Sequence, residues 1–108
     1  NYLAPGRGRQ ATLDLVLDMA LGLGEGVFLR QSRALQRRPD HTSTIRRLRV
    51  PTLVLCGEHD TLCPVSRHQF MADLVGHAKL EVVAGAGHLP PLEQPAAVTA
   101  AMARWLAA

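Results

Sequence analysis

Two short apolar runs separated by an amphipathic helix constrain the fold of this chain more than any other feature. Residues 51–56 (PTLVLC) form a continuous run between Pro51 and Gly57, and residues 79–84 (KLEVVA) form a second one. The length and β-branching of the first run predict a buried strand of parallel type. Residues 65–75 place their apolar side chains on one helical face. A strand–helix–strand unit of this length predicts two parallel strands with a right-handed crossover.

Helical periodicity dominates the first part of the chain. The other predicted elements are a loop over residues 1–10 and helices over residues 13–21, 25–38, 40–48 and 95–106. Thr12 is the predicted N-cap of the first helix, and Gly22 and Gly24 are its predicted stop. We therefore predict an α/β protein in two parts: a helical segment over residues 1–48 and a β-α-β-α unit over residues 49–108.

Composition excludes several classes of protein. Of the 108 residues, 47% are apolar and 19% charged, which is not the composition of a disordered tail. No apolar run approaches the ~18–20 residues of a membrane-spanning helix. Residues 1–49 hold nine arginines against four acids, but aromatic residues make up only 4% of the chain and leave little for base stacking. Solvated helix faces are therefore favoured over a nucleic-acid surface.

The two cysteines do not suggest a disulfide scaffold or a metal site. Cys56 lies in the first strand and is predicted to be a small buried apolar residue. Cys56, His59 and Cys63 could suggest zinc, but no fourth ligand lies nearby in the sequence. We predict no metal or organic cofactor, and the cysteine usage fits a reducing, cytoplasmic setting. The remaining histidines are predicted to lie on the surface: His41, His68 and His77.

An ionisable residue follows each strand at a matched distance. Asp60 lies four residues after Cys56, and His88 lies four residues after Ala84. Neighbouring parallel strands lie ~4.8 Å apart and end at the same edge of the sheet, so the two side chains could form a hydrogen bond. A carboxylate beside an imidazole fixes its tautomer and stabilises the imidazolium. Asp60 and His88 are therefore the candidate catalytic pair, with Glu58 as a competing acid.

These residues carry a resemblance to a known family. The run PTLVLCGEHDTLCPV, followed by KLEVVAGAGHLPPLEQPAAV, resembles the C-terminal half of an α/β-hydrolase. The matching positions are Gly57, Asp60, Gly87, His88, Glu93 and Pro95. Residues 26–51 are similar to the end of the cap in bacterial esterase-like and enol-lactonase-like members. The resemblance covers essentially the whole chain, and it implies the C-terminal portion of an α/β-hydrolase fold with a cap or lid segment over residues 1–48.

The resemblance also implies an activity and roles for individual residues. A family member hydrolyses a small-molecule carboxylic ester or lactone with a Ser-Asp-His triad. Asp60 would orient the imidazole, and His88 would act first as general base and then as general acid. Glu93 is predicted to cap or brace the helix that starts at Pro95. Leu62, Val65 and Leu89 flank the two loops and are either pocket-lining or packing residues.

The family's nucleophile is missing from the sequence. No G-x-S-x-G motif occurs, and Ser32, Ser43 and Ser66 do not lie in a glycine turn between a strand and a helix. The chain begins with Asn1 and not with Met, so we expect either that residues were removed or that it is a fragment, and we expect it to be inactive alone. The alternative interpretation is a catalytically incomplete remnant or binding module. In either case, unpaired strand edges predict a homodimer or association with the missing N-terminal half.

Overall fold

The computed structural model describes residues 2–108 and arranges them as helices around a small parallel sheet. In chain order the elements are α1 (Arg9–Gln36), α2 (Thr42–Arg46), β1 (Leu53–Gly57), α3 (Val65–Val75), β2 (Lys79–Val83), α4 (Pro90–Glu93) and α5 (Pro95–Ala107). The strands β1 and β2 pair in parallel, in register from Leu53 opposite Lys79 to Gly57 opposite Val83. The predicted β-α-β unit is therefore confirmed, with α3 as its connection.

A small apolar core lies under the loops that follow the two strands. Val83, Ala86 and Val98 form one buried cluster, and Leu55 packs against it. Val98 comes from α5, which contacts β2. Burying a valine side chain contributes about 1.5–3 kcal/mol to folding. Because Ala86 is fully buried between Gly85 and Gly87, this core fixes the loop that carries His88.

The first helix is longer than predicted and is broken at the predicted place. Its backbone is non-helical at Gly24, where φ is 85° and ψ is 172°. Such a positive φ is accessible to glycine at low cost, so the helix direction changes there. The predicted start was wrong, because α1 begins at Arg9 with Gly8 as N-cap. Thr12 lies inside the first turns instead, and its hydroxyl donates to the Gly8 carbonyl oxygen at 3.1 Å.

The apolar side chains of α1 remain largely exposed. Only Thr12 is buried along its 28 residues. Eight large apolar side chains of this helix are more than two-fifths exposed: Leu15, Leu17, Met19, Leu21, Leu23, Phe28, Leu29 and Leu35. By contrast, α2 packs against α3 and so contacts the core unit. The division into a cap over residues 1–48 and a core over residues 49–108 stays a prediction.

No helix within residues 2–108 combines the length and the apolar character that crossing a membrane requires.

The C-terminal elements follow the sequence pattern with one addition. The short helix α4 was not predicted, although Pro90 occupies its first turn, where a missing N–H costs nothing. The last helix, α5, begins at Pro95 as predicted and continues to Ala107. The helix predicted for residues 40–48 is shorter, and its entry is held by Asp40, whose carboxylate accepts the Thr42 N–H at 2.9 Å. These connections leave both strand-end loops facing one edge of the sheet.

Candidate active site

Asp60 and His88 lie side by side at the carboxyl ends of β1 and β2. The Nδ1 atom of His88 lies 3.2 Å from Asp60 Oδ1 and 3.1 Å from Oδ2. The Asp60 side chain is 5% exposed, whereas that of His88 is 34% exposed. The contact predicted from the matched spacing is therefore present, with the carboxylate beneath the imidazole and the ring open to solvent. Such an arrangement can orient an imidazole for proton transfer.

The surroundings of Asp60 favour its ionised form. Burial acts to raise the pKa of Asp60, but hydrogen bonds from the Cys63 N–H, His88 and the Leu62 N–H outweigh it and lower the pKa below the ordinary value. The two backbone donors lie 2.9 Å (Cys63) and 3.0 Å (Leu62) from Oδ1. An ionised Asp60 can only accept hydrogen bonds, so the hydrogen of a neutral His88 is held on Nδ1. The Nε2 atom then remains free to accept a proton.

Glu93 holds the backbone around His88, which corrects the predicted role of this residue. Its Oε2 accepts the N–H groups of Gly87 at 3.0 Å and Leu89 at 2.9 Å, and its Oε1 accepts the Ala4 N–H at 2.7 Å. Glu93 therefore does not cap the helix that starts at Pro95. That helix has Gln94 as N-cap, and Pro95 offers no N–H to accept. The carboxylate instead satisfies three loop donors that would otherwise lack partners.

Glu58, the competing acid, is committed elsewhere. Its Oε1 accepts the Gly85 N–H at 2.8 Å and lies 3.0 Å from His59 Nε2. Both Glu58 and His59 are exposed at the outer side of the loops. Gln94 adds a bond from Nε2 to the Gly85 carbonyl oxygen at 3.3 Å. These contacts join the Asp60 loop to the His88 loop, and they leave Asp60 as the acid that faces the imidazole.

The N-terminal segment contributes to the site, which the sequence did not reveal. The His88 N–H donates to the Tyr2 carbonyl oxygen at 2.7 Å. The Tyr2 ring meets the imidazole edge-on, with centroids 5.9 Å apart and an interplanar angle of 86°. Leu3 and Ala4 are 4% and 5% exposed. The only local signal was the apolar triplet Tyr-Leu-Ala ahead of Pro5, within a segment that otherwise has the composition of a loop.

Close backbone packing at Gly87 explains why the loop carries a glycine beside His88. A Cβ atom there would overlap the Tyr2 carbonyl oxygen and lie 2.7 Å from the Ala4 nitrogen and 2.8 Å from the Leu3 Cα. At Gly57, a Cβ atom would overlap the carbonyl oxygens of Ala86 and Gly87. The two glycines therefore let the N-terminal segment, the His88 loop and the end of β1 approach one another.

A cavity lies between α2 and α3 and reaches the site at Cys63. It has a volume of about 780 Å³. Its lining combines apolar and basic side chains, among them Ile45, Phe70, Met71, Arg38 and Arg67, and it includes Cys63. The predicted pocket residues do not line it. Leu62 is 58% exposed beside the Asp60–His88 pair (the dyad), while Val65 and Leu89 are half-buried. Their contribution to a substrate pocket stays a prediction.

Two further histidines bond to the backbone, and the two cysteines differ in their surroundings. His77 Nε2 lies 2.8 Å from the Val50 carbonyl oxygen and His68 Nδ1 lies 3.1 Å from that of Pro64, so both rings bond to nearby backbone.

Cys56 is buried as predicted, and burial together with the charge of Asp60 raises the pKa of its thiol. Cys63 is partly buried and faces the dyad. The set Cys56, His59 and Cys63 does not cluster among residues 2–108, whereas Asp60, Cys63 and His88 do.

Comparison with known proteins gives matches to one family. The sequence profile described as the alpha/beta hydrolase family matches residues 3–101. The pimeloyl-[acyl-carrier protein] methyl ester esterase of Xanthomonas axonopodis pv. citri is 34% identical over 79 residues, which are 73% of this chain and 31% of that protein. Its counterpart from Xanthomonas oryzae pv. oryzae is 33% identical over the same length. The chain thus spans about a third of the length of these curated relatives.

Two solved structures share the fold of the described residues. A thermophilic esterase from Thermogutta terrifontis, solved with malate bound, superposes with a TM-score of 0.62 and 43% identity. The match covers 65% of this chain and 26% of that one. MenH from S. aureus superposes with a TM-score of 0.58 and 26% identity, covering 63% and 25% of the two chains. The matched region in each case is about a quarter of the solved chain.

Proposed function

The chain belongs to the alpha/beta hydrolase family, and we propose that it carries the acid and the histidine of a Ser-Asp-His triad that hydrolyses a carboxylic ester or lactone. The observation that carries the proposal is the buried Asp60 carboxylate 3.1 Å from Nδ1 of a partly exposed His88. The names of the relatives, which include two methyl ester esterases and a thermophilic esterase, support the ester as substrate. The nucleophilic serine is supplied by polypeptide outside these 108 residues.

The chemistry follows from which nitrogen of His88 is free. Asp60 holds the ring hydrogen on Nδ1, so Nε2 accepts the proton of the serine hydroxyl as the oxygen attacks the carbonyl carbon. The resulting imidazolium is stabilised by the ionised Asp60 and donates its proton to the departing alcohol. A water molecule then repeats the sequence on the acyl-enzyme, releasing the carboxylic acid. These proton transfers need neither a metal nor an organic cofactor.

The proposal extends to the substrate and the setting. The substrate is a small-molecule ester or lactone, and the partly exposed ring of His88 marks the side from which it approaches. Leu62, Val65 and Leu89 flank the dyad, and we assign them to the wall that contacts the acyl or leaving group. Two free cysteines, without a disulfide between them, suit a reducing cytoplasmic compartment. We assign no nucleic acid or membrane as a partner.

The test compares the 108-residue chain with the complete protein of its reading frame. We expect the complete protein to hydrolyse a nitrophenyl ester and to react with a fluorophosphonate probe at a serine outside the chain. The isolated chain, lacking that serine, is expected to show neither reaction. Turnover or probe labelling by the isolated chain would contradict the assignment of the nucleophile. A folded complete protein that hydrolyses neither esters nor lactones would contradict the proposed function.

Self-association is a second candidate function, and the exposed apolar surface favours it. Within residues 2–108, β1 and β2 form a two-stranded sheet whose outer edges pair with no other strand. Unpaired edges and apolar patches of this kind promote association with another chain. We expect the isolated chain to elute from a gel-filtration column as a dimer or larger species. Elution as a monomer of 11.7 kDa would contradict this candidate.

A further inference from the structure

A third side chain with ligand chemistry faces the Asp60–His88 pair. Asp60, Cys63 and His88 each offer one potential ligand atom, and these atoms all lie within 4.8 Å of one another. The cluster combines a carboxylate oxygen, a thiol sulfur and an imidazole nitrogen. The proposed hydrolysis uses only two of these groups and leaves the thiol without a role.

The turn after β1 fixes the thiol beside the dyad. The Cys63 N–H donates to Asp60 Oδ1 at 2.9 Å, so the residue that carries the thiol is tied to the same carboxylate that contacts His88. Pro64 follows directly and limits the backbone before α3 begins at Val65. The position of Cys63 is therefore set by the hydrogen bonds that also hold the acid.

The three ligand types select a class of cation. Sulfur and imidazole nitrogen suit zinc, whereas calcium and magnesium prefer oxygen ligands. Bonds of about 2.0–2.3 Å in a tetrahedral zinc site place neighbouring ligand atoms roughly 3.3–3.8 Å apart. The carboxylate and imidazole atoms are already 3.1 Å apart. Drawing in a thiol from within 4.8 Å needs a shift of about an ångström, which a cysteine side-chain rotation provides.

We propose that Asp60, Cys63 and His88 form a binding site for a thiophilic divalent cation of the zinc type. Binding displaces the thiol proton to solvent and moves the imidazole hydrogen from Nδ1 to Nε2, which leaves a thiolate, a carboxylate and the free Nδ1 of His88 on the cation. With three protein ligands, a fourth position stays available to water. The cation occupies the two residues on which the proposed hydrolysis depends, so it is an inhibitor and not a cofactor. This consequence for turnover rests on the proposed function, while the binding itself does not.

Cobalt provides a probe that reports the thiolate directly. Titration of the 108-residue chain with Co²⁺ is expected to give a sulfur-to-cobalt charge-transfer band that saturates at one equivalent and disappears when Zn²⁺ is added. Cys63→Ser and His88→Gln should each lower the affinity by at least about 100-fold, since even residues outside the ligand shell alter metal affinity 10–100-fold. Circular dichroism of each variant verifies that it remains folded.

The second cysteine provides the matched control. Cys56 is 2% exposed in β1, so Cys56→Ala is expected to keep the charge-transfer band and the affinity. A band that persists in Cys63→Ser, or that survives unchanged in His88→Gln, would overturn the proposed ligand set. Absence of any band in the unmodified folded chain would do the same. If Zn²⁺ binds to the complete protein while ester turnover continues, the metal site stands and the catalytic role of His88 falls.

Discussion

Replacing His88 by alanine in the complete protein is expected to lower kcat for ester hydrolysis by about 10⁶-fold, with little change in KM. The reason is that His88 is the proposed acceptor of the serine proton. Glu58 is occupied by the Gly85 N–H and by His59, and the rings of His68 and His77 bond to backbone carbonyl oxygens. The serine would then have to lose its proton to water.

Asp60→Asn tests how Asp60 orients the His88 ring while leaving the imidazole, the proton acceptor, in place. The N–H groups of Leu62 and Cys63 both point at Oδ1 and would bind the amide oxygen of an asparagine. Its NH₂ group would then take the place of Oδ2, which lies 3.1 Å from His88 Nδ1. Nδ1 would have to accept that hydrogen bond, so the ring hydrogen would move to Nε2, where the free lone pair is needed. We expect kcat to fall about 10⁴-fold while the fold persists.

Glu58→Gln is the matched control for the acid. This change removes a charge from the same loop but leaves the contact between Asp60 and His88 untouched, so kcat is expected to remain within a few-fold of the unmodified enzyme. Steady-state kinetics on the three variants, with circular dichroism to verify folding, gives the comparison. Near-normal turnover of His88→Ala would remove the catalytic assignment. A loss in Glu58→Gln that matches the loss in Asp60→Asn would transfer the role of the acid to Glu58.

The local sequence pattern was sufficient to predict the contact between Asp60 and His88, because short stretches of chain set its geometry. Each strand is read from a run of about six residues, and parallel pairing brings the ends of neighbouring strands to one edge. Asp60 lies three residues after the observed end of β1, and His88 lies five residues after that of β2, so the equal spacing predicted from the sequence is not kept. The two side chains still meet, because β1 pairs with β2 and both loops emerge at the same edge.

The groups that hold the dyad were not predictable in this way. The bond from the Ala4 N–H to Glu93 joins residues 89 positions apart, and nothing near either residue in the sequence indicates it. Glu93 lies two residues before Pro95, the start of α5. An acidic residue near a helix N-terminus is favourable, so the local interpretation competed with the true one. Only the folded arrangement shows that three backbone N–H groups reach this carboxylate.

In the long helix α1, the sequence predicts an apolar face but not what covers it. The sequence places Val27, Phe28, Ala34 and Leu35 on one stripe of the helix that follows Gly24, which predicts burial of that face. In the described chain Phe28 and Leu35 are 66% and 68% exposed. Periodicity therefore identifies a helix and its apolar face correctly but cannot say what covers that face. This is why the cap assignment for residues 1–48 remains a prediction.

Gly87→Ala is expected to destabilise the protein strongly. The added Cβ would overlap the Tyr2 carbonyl oxygen and crowd the Ala4 nitrogen and the Leu3 Cα, all of them backbone atoms that no side-chain rotation can move. The N-terminal segment would have to retreat, breaking the bond from the His88 N–H to Tyr2. Overpacking costs about 1–3 kcal/mol, and rigid neighbours place this case near the upper end. We expect Tm to fall by about 10–20 °C.

Gly22→Ala tests whether the lower Tm of Gly87→Ala comes from steric overlap of the added Cβ and not from the loss of a glycine as such. A Cβ at Gly22 meets nothing within 4 Å, and the residue lies in α1, where alanine is favoured over glycine by about 1 kcal/mol. This variant is expected to keep or slightly raise Tm. In the complete protein Gly87→Ala should also lower kcat, because displacement of Tyr2 and Glu93 releases the backbone on both sides of His88. An unchanged Tm in Gly87→Ala would mean that residues 2–4 do not pack against the His88 loop, and the support we assign to that segment would be wrong.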